Sequence, residues 1–86
     1  MPEISRFFGI VVRMYFQDHA PPHIHVEYQG QRAVFKFDGA VRQGALGSRT
    51  ATRLVQEWIK LHVDELQADW ELAQNGHELK AISPLE

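Results

Sequence analysis

The chain has 86 residues, of which 44% are hydrophobic and 23% are charged. These values are close to those of ordinary globular domains and argue against a disordered chain. The length allows one domain, residues 1–86, with one hydrophobic core. The absence of cysteine excludes disulfides, thiolate zinc sites and cysteine nucleophiles. The net charge of −2 gives no reason to expect general attraction to nucleic acid.

Two further features bear on where the protein acts. The sequence contains no apolar run of about 20 residues, which is the length that a membrane-spanning helix needs. Its N-terminus lacks the charged and apolar pattern of a signal peptide. We therefore expect a soluble, cytoplasmic protein without membrane contact.

Residues 1–47 carry the pattern of an antiparallel β-meander. Residues 7–17 are rich in β-branched and aromatic side chains and predict the first strand. Residues 23–29 and 32–38 alternate between apolar and polar side chains, which is typical of strands with one buried face. The glycine-containing stretch that follows leaves room for a short fourth strand near Val41. The first-strand side chains that we expect to point inward are Phe8, Ile10, Val12, Met14 and Phe16.

The register of the central hairpin follows from its turn. The sequence fits a two-residue type II′ loop that begins at Gly30. In this register His23 lies opposite Asp38. The next polar pair along the same strands is His25 and Lys36. A slip of one residue would turn charged side chains into the core, so the alternation of both strands supports this pairing.

Residues 48–76 are expected to be helical, and Ser48 is the expected N-cap. Two apolar stripes run along this region, offset by about 100° around a helix of 3.6 residues per turn. The offset predicts a kink or break near residues 61–64, where Asp64 could cap a second helix. The pattern leaves open whether the region is one kinked helix or two. The tail, residues 77–86, is expected to dock as a strand or coil.

These elements predict an α+β fold. Three antiparallel strands, or four with the edge strand, form the sheet, and one or two C-terminal helices pack on one face. The other face would be polar, and the register favoured for the first strand places Tyr15 opposite His25 on it. The side chains predicted on this polar face are Arg13, Tyr15, Gln17, His23, His25, Glu27, Arg32, Lys36 and Asp38.

The polar face holds the candidate catalytic residues. A carboxylate beside His23 would fix the tautomer of this imidazole and favour its charged form, whereas a lysine beside His25 would favour the neutral form. Two histidines in opposed environments resemble an acid–base pair that could cleave an anionic phosphodiester. An ordinary solvated sheet face with cross-strand charge pairs is the alternative. The catalytic set is His23, His25, Lys36 and Asp38, and the candidate binding residues are Arg13, Tyr15, Pro22, His62 and Trp70.

Metal binding is a second interpretation of the same segment. His19, His23 and His25 place three imidazoles within seven residues, and a rigid Pro-Pro turn could bring the first back to the other two. Three histidines and a water form a known catalytic metal set, and imidazole suits zinc and copper. The sequence places no fourth ligand, and the pattern favours a metal-free histidine cluster over a metal site.

Several segments resemble a bacterial family of small proteins known as a domain of unknown function. The resemblance covers about residues 1–84, and its most specific segment is Pro21–Val26, PPHIHV. The other segments that carry it are Ile4–Ile10, Asp18–His19, Ala33–Asp38 and Leu61–Leu66 with Trp70. Members are often encoded beside a second small protein, and the pair is described as a type II toxin–antitoxin module in which this family is the toxin.

The resemblance implies a toxin-like function with a small cognate protein as partner. The target would be unknown, with RNA as one candidate. Two alternatives from other classes stay open. One is a non-catalytic module that binds metal through His19, His23 and His25. The other is a structural protein that docks another chain through its sheet face or its acidic helical half.

Overall fold

The computed structural model describes residues 2–86, which form a five-stranded antiparallel sheet followed by two helices. The strands follow one another across the sheet in chain order, as a meander. This confirms the predicted α+β class, with more strands than the three or four expected. The elements are β1 Glu3–Phe7, β2 Ile10–Arg13, β3 His23–Tyr28, β4 Gln31–Lys36, β5 Val41–Gly44, α1 Arg49–Leu61 and α2 Val63–Gln74.

The predicted first strand is in fact part of a hairpin. Phe8 and Gly9 both have positive φ, 50° and 78°, and form a two-residue type I′ turn between β1 and β2. The reversal buries Phe7 and leaves Phe8 61% exposed, so the prediction that Phe8 points inward was wrong. Phe16 was also expected inside, but it lies beyond the end of β2 and is exposed.

The central hairpin turns one residue earlier than predicted. Gln29 and Gly30 have φ of 47° and 80°, which makes the turn type I′ rather than type II′. The pairing of β3 with β4 therefore shifts by two residues, and His23 lies opposite Lys36 rather than Asp38. A shift of two residues leaves every side chain on its predicted face, because side chains alternate with a period of two.

The pairing of β2 with β3 also differs by two residues from the prediction. Arg13 lies opposite His25, and Val11 rather than Arg13 lies opposite Glu27. Tyr15 lies two residues beyond the end of β2, yet its ring still packs on His25 with ring centroids 4.3 Å apart. The predicted Tyr15–His25 contact is therefore present without the strand pairing that was expected to produce it.

The helices start and break where the sequence indicated. The Ser48 side chain accepts a hydrogen bond from the Ala51 N–H at 3.1 Å, which confirms the predicted N-cap. The break falls at His62, the single residue between α1 and α2, so the region is two helices. Asp64 lies inside the first turn of α2 and does not cap it. His62 occupies the cap position and makes no side-chain capping bond.

The helices and the tail cover one face of the sheet. Residues 77–86 are coil, and the His77 N–H donates to the Leu72 carbonyl at 2.9 Å. Three further hydrogen bonds attach the rest of the tail: Ile82 N–H to the Ile4 carbonyl at 2.8 Å, Lys80 N–H to Asp69 Oδ1 at 3.0 Å, and Trp58 Nε1–H to the Ser83 carbonyl at 2.9 Å. None of the helices in residues 2–86 has the length and apolar character needed to cross a membrane. The largest fully buried side chains are Trp58, Phe35, Ile4, Ile10, Met14, Ile24, Ile59 and Leu66.

Candidate functional site

Two histidines and an aspartate converge at the start of β3. Asp18 Oδ2 lies 2.8 Å from His23 Nε2 and 3.0 Å from His25 Nε2. One potential ligand atom from each residue lies within 4.8 Å of the other two. We call Asp18, His23 and His25 the His–Asp cluster. The carboxylate that orients His23 is thus Asp18, and the prediction that Asp38 would do so was wrong.

The loop before β3 is held by the C-terminal end of α2. The Gln17 N–H donates to the Ala73 carbonyl at 3.1 Å, and Gln74 Nε2 donates to the Asp18 carbonyl at 3.0 Å. The Asp18 side chain is fixed locally as well, because its Oδ1 accepts the His19 N–H at 2.8 Å. The helix therefore sets where the Asp18 carboxylate lies relative to the two imidazoles.

His23 is buried, with 4% of its surface exposed, and its ring packs on Trp70 with centroids 5.4 Å apart. Its Nδ1 lies 2.7 Å from the Pro21 carbonyl oxygen. A carbonyl only accepts, so Nδ1 carries a hydrogen and donates it. Arg42 Nη1 approaches the same Nδ1 at 3.4 Å, and because a guanidinium cannot accept a hydrogen bond, this is a close approach of a charge.

His25 is the more exposed of the two histidines in the His–Asp cluster. Its side chain is 29% exposed, and it lines a pocket of about 520 Å³ on the polar face. Its Nε2 is directed at Asp18, and its Nδ1 makes no hydrogen bond to any residue in the described part of the chain. His25 therefore offers one ring nitrogen that is not held by the protein.

The Asp18 carboxylate is ionised at neutral pH. Partial burial raises its pKa, but hydrogen bonds from His25, from the His19 N–H and from His23 outweigh this effect. Together with the charge of His23 they hold the pKa of Asp18 at about 2. The cluster thus presents a full negative charge between two imidazole nitrogens.

The pocket beside the cluster carries charges of both signs. Arg13 Nη1 lies 3.0 Å from Glu27 Oε1, and Arg32 Nε lies 3.8 Å from the same oxygen. Glu27 therefore holds two cations at the pocket wall. The pocket is lined by Glu3, Arg13, Tyr15, His25, Val26, Glu27, Arg32, Ala33, Val34, Gln43 and Gly44.

Several residues predicted for the site lie elsewhere or play other parts. Asp38 is exposed and lies just beyond the end of β4. It accepts the Ala40 N–H at 2.9 Å, and its carboxylate is 4.0 Å from Lys36 Nζ. Lys36 flanks the cluster as the cross-strand neighbour of His23. His62 lies at the helix break, 2.6 Å from Glu65 Oε1.

The remaining predicted residues surround the cluster in different ways. His19 contributes only its backbone N–H, so Asp18 replaces it in the set of potential metal ligands. Trp70 packs on His23, and Pro22 lies in the loop between Asp18 and β3 without lining the pocket. Sequence reasoning missed Asp18 and Arg42. The Asp-x4-His-x-His spacing of residues 18–25 is the signal that could have identified the first.

The fold and the site define a small α+β protein that carries a His–Asp cluster on the polar side of a five-stranded sheet. Residues 9–71 match the model of a family described as a domain of unknown function, DUF4160, and the chain belongs to this family. The matched range includes the whole His–Asp cluster and strands β2 to β5. No curated protein and no solved structure matches the chain.

Proposed function

We propose that this chain is the toxin-like component of a two-protein module and that it acts on a phosphodiester, with RNA as the candidate substrate. The observation that supports the chemistry is the pairing of Asp18 Oδ2 with His25 Nε2 at 3.0 Å, at the wall of an open pocket. The toxin role itself rests on the resemblance carried by Pro21–Val26. The partner would be a small cognate protein.

His25 is the proposed general base. When its Nε2–H donates to Asp18, its Nδ1 is left with a lone pair on a side chain that lines the pocket. A histidine whose tautomer is fixed by a carboxylate is the usual arrangement of a general base. His25 would take the proton of the attacking hydroxyl or water as its oxygen bonds to phosphorus, and Asp18 would stabilise the resulting imidazolium. The bond from phosphorus to the leaving oxygen would break, and this oxygen would take a proton from water.

His23 and the cations around the pocket have supporting roles in this proposal. His23 is buried, and both of its ring nitrogens face protein acceptors, so it positions Asp18 rather than acting as an acid. Arg13 and Arg32 would bind the phosphate through N–H groups that are not used in their contacts with the Glu27 carboxylate. Charge-assisted contacts from arginine suit phosphate because the guanidinium can bind two oxygens at once.

The test is growth of a bacterial culture after induced expression. Arrest is expected with the natural chain and with His77→Gln, which changes an exposed histidine that is not part of the cluster. His25→Gln and Asp18→Asn should restore growth, as should co-expression of the cognate protein. The same four purified chains should show the same order of activity on total RNA.

Two results would overturn this proposal. If the natural chain causes no arrest at verified expression, the toxin role is wrong. If His25→Gln and Asp18→Asn arrest growth as strongly as the natural chain, the toxin acts through another surface. Circular dichroism and melting curves of both variants test whether they are folded, so that loss of growth arrest can be assigned to the substituted side chain.

A further inference from the structure

We propose that the His–Asp cluster is a binding site for a divalent transition-metal ion such as Zn²⁺. The ligands would be Nε2 of His23, Nε2 of His25 and the carboxylate of Asp18. Two imidazoles and one carboxylate form a ligand set used for zinc and for non-haem iron, with positions left open for water or substrate. The set differs from the three histidines expected from sequence, because Asp18 takes the place of His19.

The hydrogen bonding of His23 carries this inference. Its Nδ1–H donates to the Pro21 carbonyl, so a neutral His23 turns the lone pair of Nε2 toward Asp18 Oδ2, 2.8 Å away. Two acceptors cannot face each other at this distance unless a proton or a cation lies between them. A histidine that binds a metal commonly donates its other N–H to a backbone carbonyl, which fixes the ring for ligation. His23 has this arrangement, and it is buried.

The separations also suit a metal ion. Ligands about 2.1 Å from an ion are roughly 3.0 Å apart at right angles and roughly 3.4 Å apart in a tetrahedron. The two nitrogen–oxygen separations in the cluster are 2.8 and 3.0 Å. The two nitrogen–oxygen separations are thus within a few tenths of an ångström of those that an ion would need, and the two Nε2 atoms lie within 4.8 Å of each other.

The charges define what such an ion would replace. The cluster holds one carboxylate and two imidazoles, and the ion would displace the Nε2 protons of the imidazoles that it binds. A metal ion and the Nε2 protons would occupy the same space. The cluster can therefore carry a proton on His25 Nε2, as the proposed general base requires, or bind a metal ion there, but not both. Arg42 opposes the ion, because its Nη1 lies 3.4 Å from His23 Nδ1. Removing this charge should tighten metal binding.

The site stands whether or not the chain is a toxin, since metal binding is measured without growth or RNA. The probe is Zn²⁺ in isothermal titration, with the untagged full chain first treated with a chelator. Co²⁺ reports the ligands through its visible absorption. One ion should bind per chain and raise the melting temperature as the free Zn²⁺ concentration rises.

The variants separate this site from other histidines. Asp18→Asn and His25→Gln should each weaken Zn²⁺ binding at least about tenfold, since even changes to groups behind the ligands cost 10- to 100-fold. His19→Gln and His77→Gln should bind as the natural chain does, and Arg42→Gln should bind more tightly. Absence of saturable binding of both Zn²⁺ and Co²⁺ would refute the site. Binding that survives both ligand changes, or is lost with His19→Gln, would show that the ion lies elsewhere.

Discussion

Replacing Asp69 by asparagine should stabilise the protein at neutral pH. Asp69 is 2% exposed, and only its Oδ1 is paired, with the Lys80 N–H at 3.0 Å. Its Oδ2 is buried without a hydrogen-bond partner in residues 2–86. An unpaired buried polar atom costs about 1–3 kcal/mol, and more when it is charged. Asparagine keeps the bond to Lys80 and removes the charge, so we expect a gain of about 1 kcal/mol after its own unpaired N–H group is counted.

The gain should depend on pH in a defined direction. Burial raises the pKa of Asp69, the nearby Glu65 carboxylate raises it further, and the Lys80 N–H and ammonium lower it. The folded chain therefore holds the Asp69 proton more tightly than the unfolded chain does. Below the ordinary pKa of 3.8 both states are protonated, and asparagine should give no advantage. As pH rises through the pKa of the folded state, the natural chain loses stability and the advantage of Asp69→Asn grows to its full value.

Urea unfolding between pH 3.5 and 8 measures this effect. A gain of 1 kcal/mol would raise the melting temperature by about 4–8 °C in a domain of this size. Glu78→Gln is the control, because it removes a carboxylate from an exposed position in residues 77–86, the tail whose Lys80 N–H bonds to Asp69. Equal stability of Asp69→Asn and the natural chain from pH 4 to pH 8 would mean that the buried carboxylate is paired, and would refute the reasoning.

Substitutions at four further positions test the fold. Phe7→Ala should cost about 3–5 kcal/mol and Phe8→Ala less than about 1 kcal/mol in urea unfolding, and the reverse order would contradict the β1–β2 hairpin. Gly44→Ala should lower the melting temperature, although a glycine-to-alanine change at a position that tolerates alanine raises it. Gly44 has a φ of 76°, and an added Cβ would collide with the Arg32 carbonyl, so an unchanged melting temperature would exclude this close approach. Ser48→Ala should lower the free energy of unfolding by about 1 kcal/mol. Ser48→Asp should keep most of this stability, because aspartate, like serine, can accept the N–H of the first turn. Equal stability of all three chains would show that the cap contributes nothing.

Local patterns in the sequence predicted β3, β4 and the helical region and the face that β3 and β4 bury, but they did not separate β1 from β2. Alternation placed His23 and His25 on one side of β3, and the offset of apolar stripes predicted a break near residues 61–64, where the structure has it at His62. The Ser48 cap follows from one side chain and the N–H three residues later. These features depend on residues within a few positions of one another, so periodicity and capping chemistry suffice to find them.

The register of the β-strands could not be predicted from the sequence, for a physical reason. A shift of two residues leaves both faces of a strand unchanged, so the alternation that defines the faces cannot choose between the two pairings. The turns make the choice, and in the β1–β2 and β3–β4 hairpins a residue type uncommon in the left-handed region adopts it, namely Phe8 in the first and Gln29 in the second. Neither residue type marks a turn in a sequence, and Phe8 lies within an apolar run.

Only the tertiary structure selected the carboxylate of the site. Asp18 reaches His23 and His25 because its loop is held by Gln74 and by the Ala73 carbonyl at the end of α2, more than 50 residues further along the chain. The sequence showed two histidines and several acids near them, and strand pairing favoured Asp38. The docking of a helix end on a loop brings Asp18 there instead, and such a contact between distant residues leaves no periodic pattern in either segment.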